Sequence, residues 1–267
     1  MNITIAIDSF KGSLSSLEAG HAIEQGIKHV FPDASVTVRP LADGGEGTVE
    51  ALAFGMGGNI ETITVTGPLG DPVECRYGIL PETNTAILEM SGAAGITLVP
   101  ADMRNPLKTT TYGVGEVICD AIKKGCRRFI VGIGGSATND GGIGMLQALG
   151  FDILDSSGKP VPHGAEGLSH IASISADHVI PELSRCSFQI ACDVNNPLCG
   201  PNGASAIYGP QKGADAKMIQ SMDRWLADYA ELCRKQFPHS DASVPGTGAA
   251  GGMGFAFLTF MNSSLES

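Results

Sequence analysis

The sequence predicts an α/β fold, because strand patterns, helix patterns and glycine-rich loops alternate along the chain. Residues 3–7 form an apolar strand pattern, and residues 36–38 alternate as a second strand. Between them, Ser15 and Glu18 form a capping box that opens a segment of helical periodicity. A strand, a helix and a strand in this order favour a right-handed crossover and a parallel pair of strands.

The rest of the chain continues this alternation. Short strand patterns at residues 60–66, 73–80 and 85–89 are separated by turn-forming residues, and we expect this meander to lead into a second domain. Further helices are predicted at residues 114–122 and 143–149 and after Asp215, and further strands at residues 129–131, 151–154 and 187–192.

Size and cysteine content narrow the class of protein. A chain of 267 residues is long enough for about two domains with real hydrophobic cores. Its 7 cysteines are an odd number without a Cys-x-x-Cys pair, which fits reduced thiols better than a disulfide framework or a zinc ribbon. We therefore expect a cytoplasmic protein.

The net charge of -11 argues against nucleic acid or an anionic membrane as a partner, because both require clustered lysine and arginine. No signal peptide or membrane span is predicted, since every apolar run is too short. A small-molecule substrate is expected instead. If that substrate is anionic, the protein needs a local basic site or a metal to bind it.

Residues 132–142 are a glycine-rich loop directly behind the strand at residues 129–131. A strand that runs through glycines into a helix presents a row of backbone N–H groups, which the helix dipole reinforces as an anion site. We interpret this loop as a phosphate or carboxylate cradle. The alternative is that its glycines only let a helix cross close to a strand.

A second glycine-rich stretch at residues 246–255 echoes the cradle. Both stretches contain the pattern Gly-Gly-x-Gly followed by a large apolar residue. The echo predicts two helices that begin in glycine and pack against each other.

The cradle also matches a dinucleotide-binding pattern through Gly132, Gly134 and Ala137, and Asp152 falls where a ribose-binding acid is expected. An NAD(P)-dependent oxidoreductase is therefore an alternative. Against it, additional residues separate Ala137 from the next helix, and the following strand begins at Phe151.

Phosphoryl transfer requires backbone N–H groups and a cation for the phosphates, carboxylates for magnesium, and a base for the attacking hydroxyl. The loops after the predicted strands contain such a set, namely Asp8, Lys11, Asp43, Glu46, Asp140 and Asp193. Aspartate and glycine also form turns, so one such loop alone would mean little. Several at successive strand ends favour a ligand-binding edge.

Five motifs in matching order strongly resemble the class I glycerate kinases (glycerate 2-kinase type). They lie at residues 6–15, 40–48, 134–142, 192–198 and 248–252. The resemblance implies phosphorylation of glycerate with ATP and Mg²⁺, with 2-phosphoglycerate favoured as the product. It also implies a flavodoxin-like or Rossmann-like parallel-sheet domain with a second α/β domain inserted, here residues 1–65 and 66–267, and an active site between them.

The resemblance also suggests residue roles. Asp193 would accept the proton of the glycerate hydroxyl, and Lys11 would neutralise the transferred phosphate or the substrate carboxylate. Asp43 and Glu46 would hold magnesium. The substrate and phosphate would be bound by Asp8, Ser9, Ser91, Gly134, Gly135, Ser136, Ala137, Thr138 and Asn195.

One departure from the family concerns length. Its members continue through a further segment after the helix that follows Gly252, so we expect the C-terminal return of the first domain to be missing from this chain. A truncated, non-catalytic relative that binds glycerate or nucleotide is therefore a second alternative. We expect a monomer or a homodimer.

Overall fold

The computed structural model of the chain describes residues 1–8, 10, 13–41 and 47–266, and it confirms the α/β class. The strands are β1 Asn2–Ile7, β2 Ser35–Pro40, β3 Asn59–Thr66, β4 Pro72–Leu80, β5 Thr85–Glu89, β6 Arg128–Gly132, β7 Asp152–Leu154, β8 Ser173–Ser175, β9 Ser187–Ala191 and β10 Ser263–Glu266. The helices are α1 Ser16–Val30, α2 Thr48–Gly55, α3 Ser91–Ala94, α4 Tyr112–Lys123, α5 Ile143–Ala148, α6 Ala165–Leu168, α7 Ala204–Tyr208, α8 Ala216–Gln236 and α9 Ala249–Phe260.

The first two strands form a parallel pair that α1 connects, as the sequence predicts. The capping box is present, because Ser15 accepts a hydrogen bond from the backbone of Glu18 and Glu18 accepts one from the backbone of Ser15. The helix ends at Val30, before Pro32. A proline after a helix disfavours its continuation, and the polypeptide returns to β2.

The six-stranded sheet has the order β10-β9-β6-β5-β4-β3. Strands β5, β6, β9 and β10 are parallel, while β3 and β4 add an antiparallel margin. The loops after β5, β6 and β9 therefore leave from the same edge. This sheet begins at Asn59, before the predicted boundary between residues 65 and 66, and the division into two domains stays a prediction.

One face of this sheet carries the main hydrophobic core. Phe129 of β6 and Phe188 of β9 stack with ring centroids 4.6 Å apart, and both are almost fully buried. Helix α9 adds Phe257, whose ring lies 5.6 Å from that of Phe188. On the opposite face, Ile87 packs with Val49 of α2. Among the described residues, no helix has both the length and the hydropathy needed to cross a membrane.

The predicted contact between the two glycine-rich stretches is confirmed. The Gly141 N–H donates to the Gly251 carbonyl over 2.9 Å, which joins the end of the cradle to the start of α9. A Cβ on Gly252 would lie 2.9 Å from the Gly141 Cα, and one on Gly142 would lie 2.6 Å from the Ala256 Cβ. Side chains at either position would force the two segments apart.

We expect Gly142→Ala to destabilise the fold more than Gly158→Ala. The two glycines have nearly the same left-handed backbone, with φ +76° and +78°, so both variants should lose about 1–2 kcal/mol for that conformation. Gly158 has open space around its Cβ position, whereas Gly142 does not. Overpacking should cost Gly142→Ala about 1–3 kcal/mol more, measured by denaturant unfolding. Equal losses in the two variants would contradict the close approach.

Candidate active site

The candidate site lies where the loops after β5, β6 and β9 meet at the carboxyl edge of the large sheet. The segment after β5 supports the cradle directly. Ile96 N–H donates to the Gly135 carbonyl over 2.8 Å, and Ala137 N–H donates to the Ala94 carbonyl over 2.9 Å. The N–H of Ala137 is therefore used within the protein, and Ala137 supports the cradle instead of presenting a donor to a ligand.

Two cavities adjoin the cradle, and Gly135 lines both of them. The larger has a volume of about 560 Å³ and lies beside the segment after β5, while the smaller has about 250 Å³ and lies beside the loop after β9. The larger cavity is lined by Phe10, Ser13, Leu14, Ser15, Gly47, Val49, Glu50, Glu74, Arg76, Glu89, Ser91, Gly92, Ile96, Thr97, Leu98 and Gly135.

The smaller cavity combines the cradle with polar side chains from other loops. Gly134, Gly135 and Ser136 line it together with Asp193. Asp193 is exposed to solvent. The remaining lining residues are Ile133, Ala191, Cys192, Val194, Tyr208, Gln211, Lys212, Ala249 and Ala250. A carboxylate and a set of hydrogen-bond donors therefore line the same small space.

Lys212 is the basic residue of this cavity, and it is buried with 2% of its surface exposed. Its Nζ donates to the Ser136 hydroxyl over 2.8 Å and to the Thr138 carbonyl over 2.6 Å. Burial lowers the pKa of the Lys212 ammonium to about 7, against the opposing effect of the Asp140 carboxylate. The cradle thus has a basic group directly against it.

Asp140 lies just before α5 and is fully buried. Hydrogen bonds from Thr111 and Gly142 hold its carboxylate in place. It accepts hydrogen bonds from the Thr111 N–H and hydroxyl over 2.9 and 2.8 Å, and from the Gly142 N–H over 3.1 Å. Desolvation raises the pKa of Asp140, and these hydrogen bonds oppose that shift. The N-terminus of α5 is thus occupied by Asp140. Helix α5 begins at Ile143, directly after the cradle as the sequence predicts, and the reinforcement of the cradle by its dipole stays a prediction.

The structure brings together only some of the predicted site residues. Asp193, Gly134, Gly135 and Ser136 meet at the smaller cavity, and Ser91 lines the larger one, where its hydroxyl donates to Glu89 over 3.3 Å. Thr138 is fully buried and contributes its carbonyl to Lys212. Asp8 and Asn195 line neither of these two cavities. Ser9, Lys11, Asp43 and Glu46 lie outside the described residues, so the roles predicted for them stay predictions.

Asn196, the neighbour of Asn195, has a clear structural role. Its Oδ1 accepts from the Tyr208 hydroxyl over 2.6 Å, and its Nδ2 donates to the Asn202 carbonyl over 2.8 Å. These bonds hold Tyr208 against the loop that carries Asp193. In the described ranges no group of three or more His, Cys, Asp or Glu side chains is arranged to hold a metal ion.

The dinucleotide pattern does not have the expected surroundings. Asp152 lies in the small antiparallel pair of β7 and β8, where its carboxylate contacts His178 Nδ1 at 2.6 Å. The hydrogen bond that His178 donates to the Asp152 carboxylate raises the pKa of His178. This aspartate belongs to a surface pair and not to a ribose site at the cradle.

Sequence reasoning missed Lys212, Gln211 and Tyr208. Tyr208 ends α7, and Gln211 and Lys212 lie in a 3-10 turn between α7 and α8, where Lys212 stands between Gly209 and Gly213. A lysine in a glycine-bounded loop was the available signal, but the chain offers several similar loops. Nothing local indicated that this one reaches the cradle.

Comparisons with known proteins agree on one family. The model of the glycerate kinase family matches residues 3–267. The chain is 49% identical to a glycerate kinase of Bacillus subtilis and 48% identical to glycerate 2-kinase of Escherichia coli, in each case matching 100% of this chain and 70% of the relative. A crystal structure described as glycerate kinase 2 from Salmonella typhimurium LT2 has a TM-score of 0.94 at 48% identity, covering 100% of this chain and 71% of that one.

The pKa of Lys212 predicts a pH dependence of stability. A lysine in the unfolded chain titrates near 10.4, so between about pH 7 and pH 10 the unfolded state binds the additional proton, and the free energy of unfolding rises with pH. We expect the native protein to gain about 1 kcal/mol relative to Lys212→Met between pH 6 and pH 8. Denaturant unfolding at several pH values measures this difference.

Lys217→Met, at an exposed position in α8, is the matched control and should show no such difference. A pH-independent difference between the native protein and Lys212→Met would contradict the lowered pKa.

Proposed function

We propose, because this chain belongs to the glycerate kinase family and is a kinase, that it transfers the γ-phosphoryl group of ATP to a hydroxyl group of glycerate. The observation that carries the proposal is the smaller cavity, which Asp193, the cradle and Lys212 line together. Phosphoryl transfer depends on positioning and on electrostatic stabilisation, and a base and an oxyanion site on one small cavity supply both.

Asp193 is the proposed base. It lies two residues after the end of β9, so the strand positions its backbone, and it lines the cavity. There it would accept the proton of the glycerate hydroxyl as that oxygen attacks the phosphorus atom. Gly134, Gly135 and Ser136 would bind the charged oxygens in the same cavity.

The two cavities suggest where each substrate binds. Pockets for drug-sized ligands have volumes of about 300–1,000 Å³, and the larger cavity lies in that range. We assign ATP to the larger cavity and glycerate to the smaller one, beside Asp193. The phosphoryl group would then cross at Gly135, the residue that lines both.

Three details of the function are extensions of the family assignment. The 2-hydroxyl is the favoured acceptor, and the 48% identity to a relative named glycerate 2-kinase supports it. Mg²⁺ binding in kinases uses one or two carboxylates together with the substrate phosphates, so the chemistry of Asp43 and Glu46 fits this role without a larger acidic cluster. When bound, Mg²⁺ would neutralise phosphate charge. A cytoplasmic location and a monomer or homodimer complete the proposal.

We expect Asp193→Asn to lower kcat for ADP formation with glycerate by about 100-fold or more, because the amide cannot accept the hydroxyl proton. A coupled ADP-release assay measures turnover, and phosphorus NMR of the product identifies the phosphorylated hydroxyl. Asp228→Asn removes an exposed carboxylate of α8 and is the matched control. Its turnover should equal that of the native chain.

Near-native turnover of Asp193→Asn would overturn its role as the base. A different result, binding of glycerate or ATP by the native chain without ADP formation, would favour the alternative of a non-catalytic binding protein.

The cavity assignment predicts a fluorescence response. Thr97 is exposed and lines the larger cavity, whereas Trp225, the one tryptophan of the chain, lies on α8 and lines neither of these two cavities. In Thr97→Trp, we expect ADP to change the emission and glycerate alone to leave it unchanged. The native chain, with Trp225 alone, is the control. A response to glycerate but not to ADP would reverse the assignment.

A further inference from the structure

When Lys212 is charged, its hydrogen bonds fix the donor direction at Ser136. With a pKa of about 7 the charged form is present at neutral pH and dominates below it, and an ammonium group has three N–H donors and no acceptor. In the contact between Lys212 Nζ and the Ser136 hydroxyl, at 2.8 Å, the lysine therefore donates and the serine oxygen accepts. The proton of the Ser136 hydroxyl is left to bind another acceptor.

The Ser136 hydroxyl can donate this proton to a group bound in the smaller cavity. Ser136 lines the smaller cavity, and among the described residues its hydroxyl oxygen has no hydrogen-bond partner other than Lys212. The Thr138 carbonyl, which takes the second N–H of Lys212 at 2.6 Å, holds the ammonium group in this position. The cavity is therefore the side on which an acceptor for Ser136 would bind.

The charge around the cradle favours a negatively charged acceptor. The chain has a net charge of -11, yet the smaller cavity is lined by Lys212 as its one basic side chain among the described residues. The carboxylate of Asp140 is already held by Thr111 and Gly142. Asp193, which also lines this cavity, is exposed, so solvent screens its charge more than that of the buried Lys212. Hydrogen bonds to charged groups are also about twice as strong as neutral ones.

We propose that Lys212 is a positioning residue: its ammonium group holds Ser136 so that the Ser136 hydroxyl donates its proton to an oxyanion in the smaller cavity. The identity of that oxyanion rests on the proposed function, under which it is the carboxylate of the acid or the transferred phosphoryl group. Both are oxyanions of the size that a hydroxyl donor and a buried cation recognise.

The test compares Lys212→Met, Ser136→Ala and the double variant in the ADP-release assay with the 267-residue chain. We expect each single variant to lower kcat/KM about tenfold or more. Because the two residues act as a unit, the double variant should lose little more than the worse single variant. Lys217→Met, with its exposed lysine, should keep native kinetics.

The kinetic constants distinguish the two oxyanions. A higher KM for glycerate with an unchanged KM for ATP identifies the carboxylate, whereas a lower kcat with unchanged KM values identifies the phosphoryl group. A purely structural role for Lys212 would lower the unfolding temperature and leave both kcat and the KM values of the folded enzyme unchanged. That result, or additive losses in the double variant, would overturn the proposal.

Two further outcomes are decisive. If Lys212→Met does not fold, the kinetics of Ser136→Ala test the proposal. The expected loss in kcat/KM supports it, and native kinetics in that variant overturn it. If the native chain phosphorylates no hydroxy acid, the proposed function fails. Calorimetry with inorganic phosphate then tests separately whether the Ser136 hydroxyl, held by Lys212, binds an oxyanion. About tenfold weaker phosphate binding by Ser136→Ala than by the native chain would then support the proposal. Equal binding, or no binding to the native chain, would overturn it.

Discussion

The contact between Gly141 and Gly251 is the constraint on which the candidate site depends. Their hydrogen bond of 2.9 Å ties the end of the cradle to the start of α9, and it can form only because neighbouring positions carry no side chain. The same α9 segment is tied to the loop after β9, since Gly248 N–H donates to the Asn196 carbonyl over 2.9 Å. One backbone junction thus fixes the cradle relative to the loop that carries Asp193, although the two leave different strands of the sheet.

This junction explains why charged groups can lie in the core next to it. Burying an unpaired ion costs several kcal/mol, so a buried charge persists only where donors or acceptors surround it. Lys212 has two oxygen acceptors on the cradle, and Asp140 has two donor groups on Thr111 and a third on Gly142. Both sets of partners are backbone or short side chains of rigid loops. The electrostatics of the site therefore depend on the exact path of the backbone, which the glycine contacts set.

The parts of the structure that the sequence predicted are those with local causes. The capping box of Ser15 and Glu18 spans three residues, and the turn from β6 into the cradle follows directly from its glycines. Lys212 could not be predicted in this way, because it is 76 residues from Ser136 and becomes a neighbour only when the chain is folded. The donor lost at Ala137 has the same explanation, since its acceptor, the carbonyl of Ala94, lies in α3. Local patterns thus located the edge of the sheet where the site lies, and long-range contacts determined which groups face the cavity.

Ala250 shows how firmly the surrounding contacts hold this region. It has φ +51° and ψ +37°, a left-handed conformation that costs a residue with a side chain about 1–2 kcal/mol, and it is followed by two glycines that also have positive φ. A glycine at position 250 would adopt this conformation without that cost. Ala250 is buried, with 9% of its surface exposed, and it lines the smaller cavity beside Ala249. It takes up space that water would otherwise fill, and a drier cavity strengthens the interaction of Lys212 and Ser136 with any oxyanion bound there. Because a strained residue of this kind persists only where its surroundings hold it, the contacts of the cradle with the start of α9 keep Ala250 in the wall of the cavity.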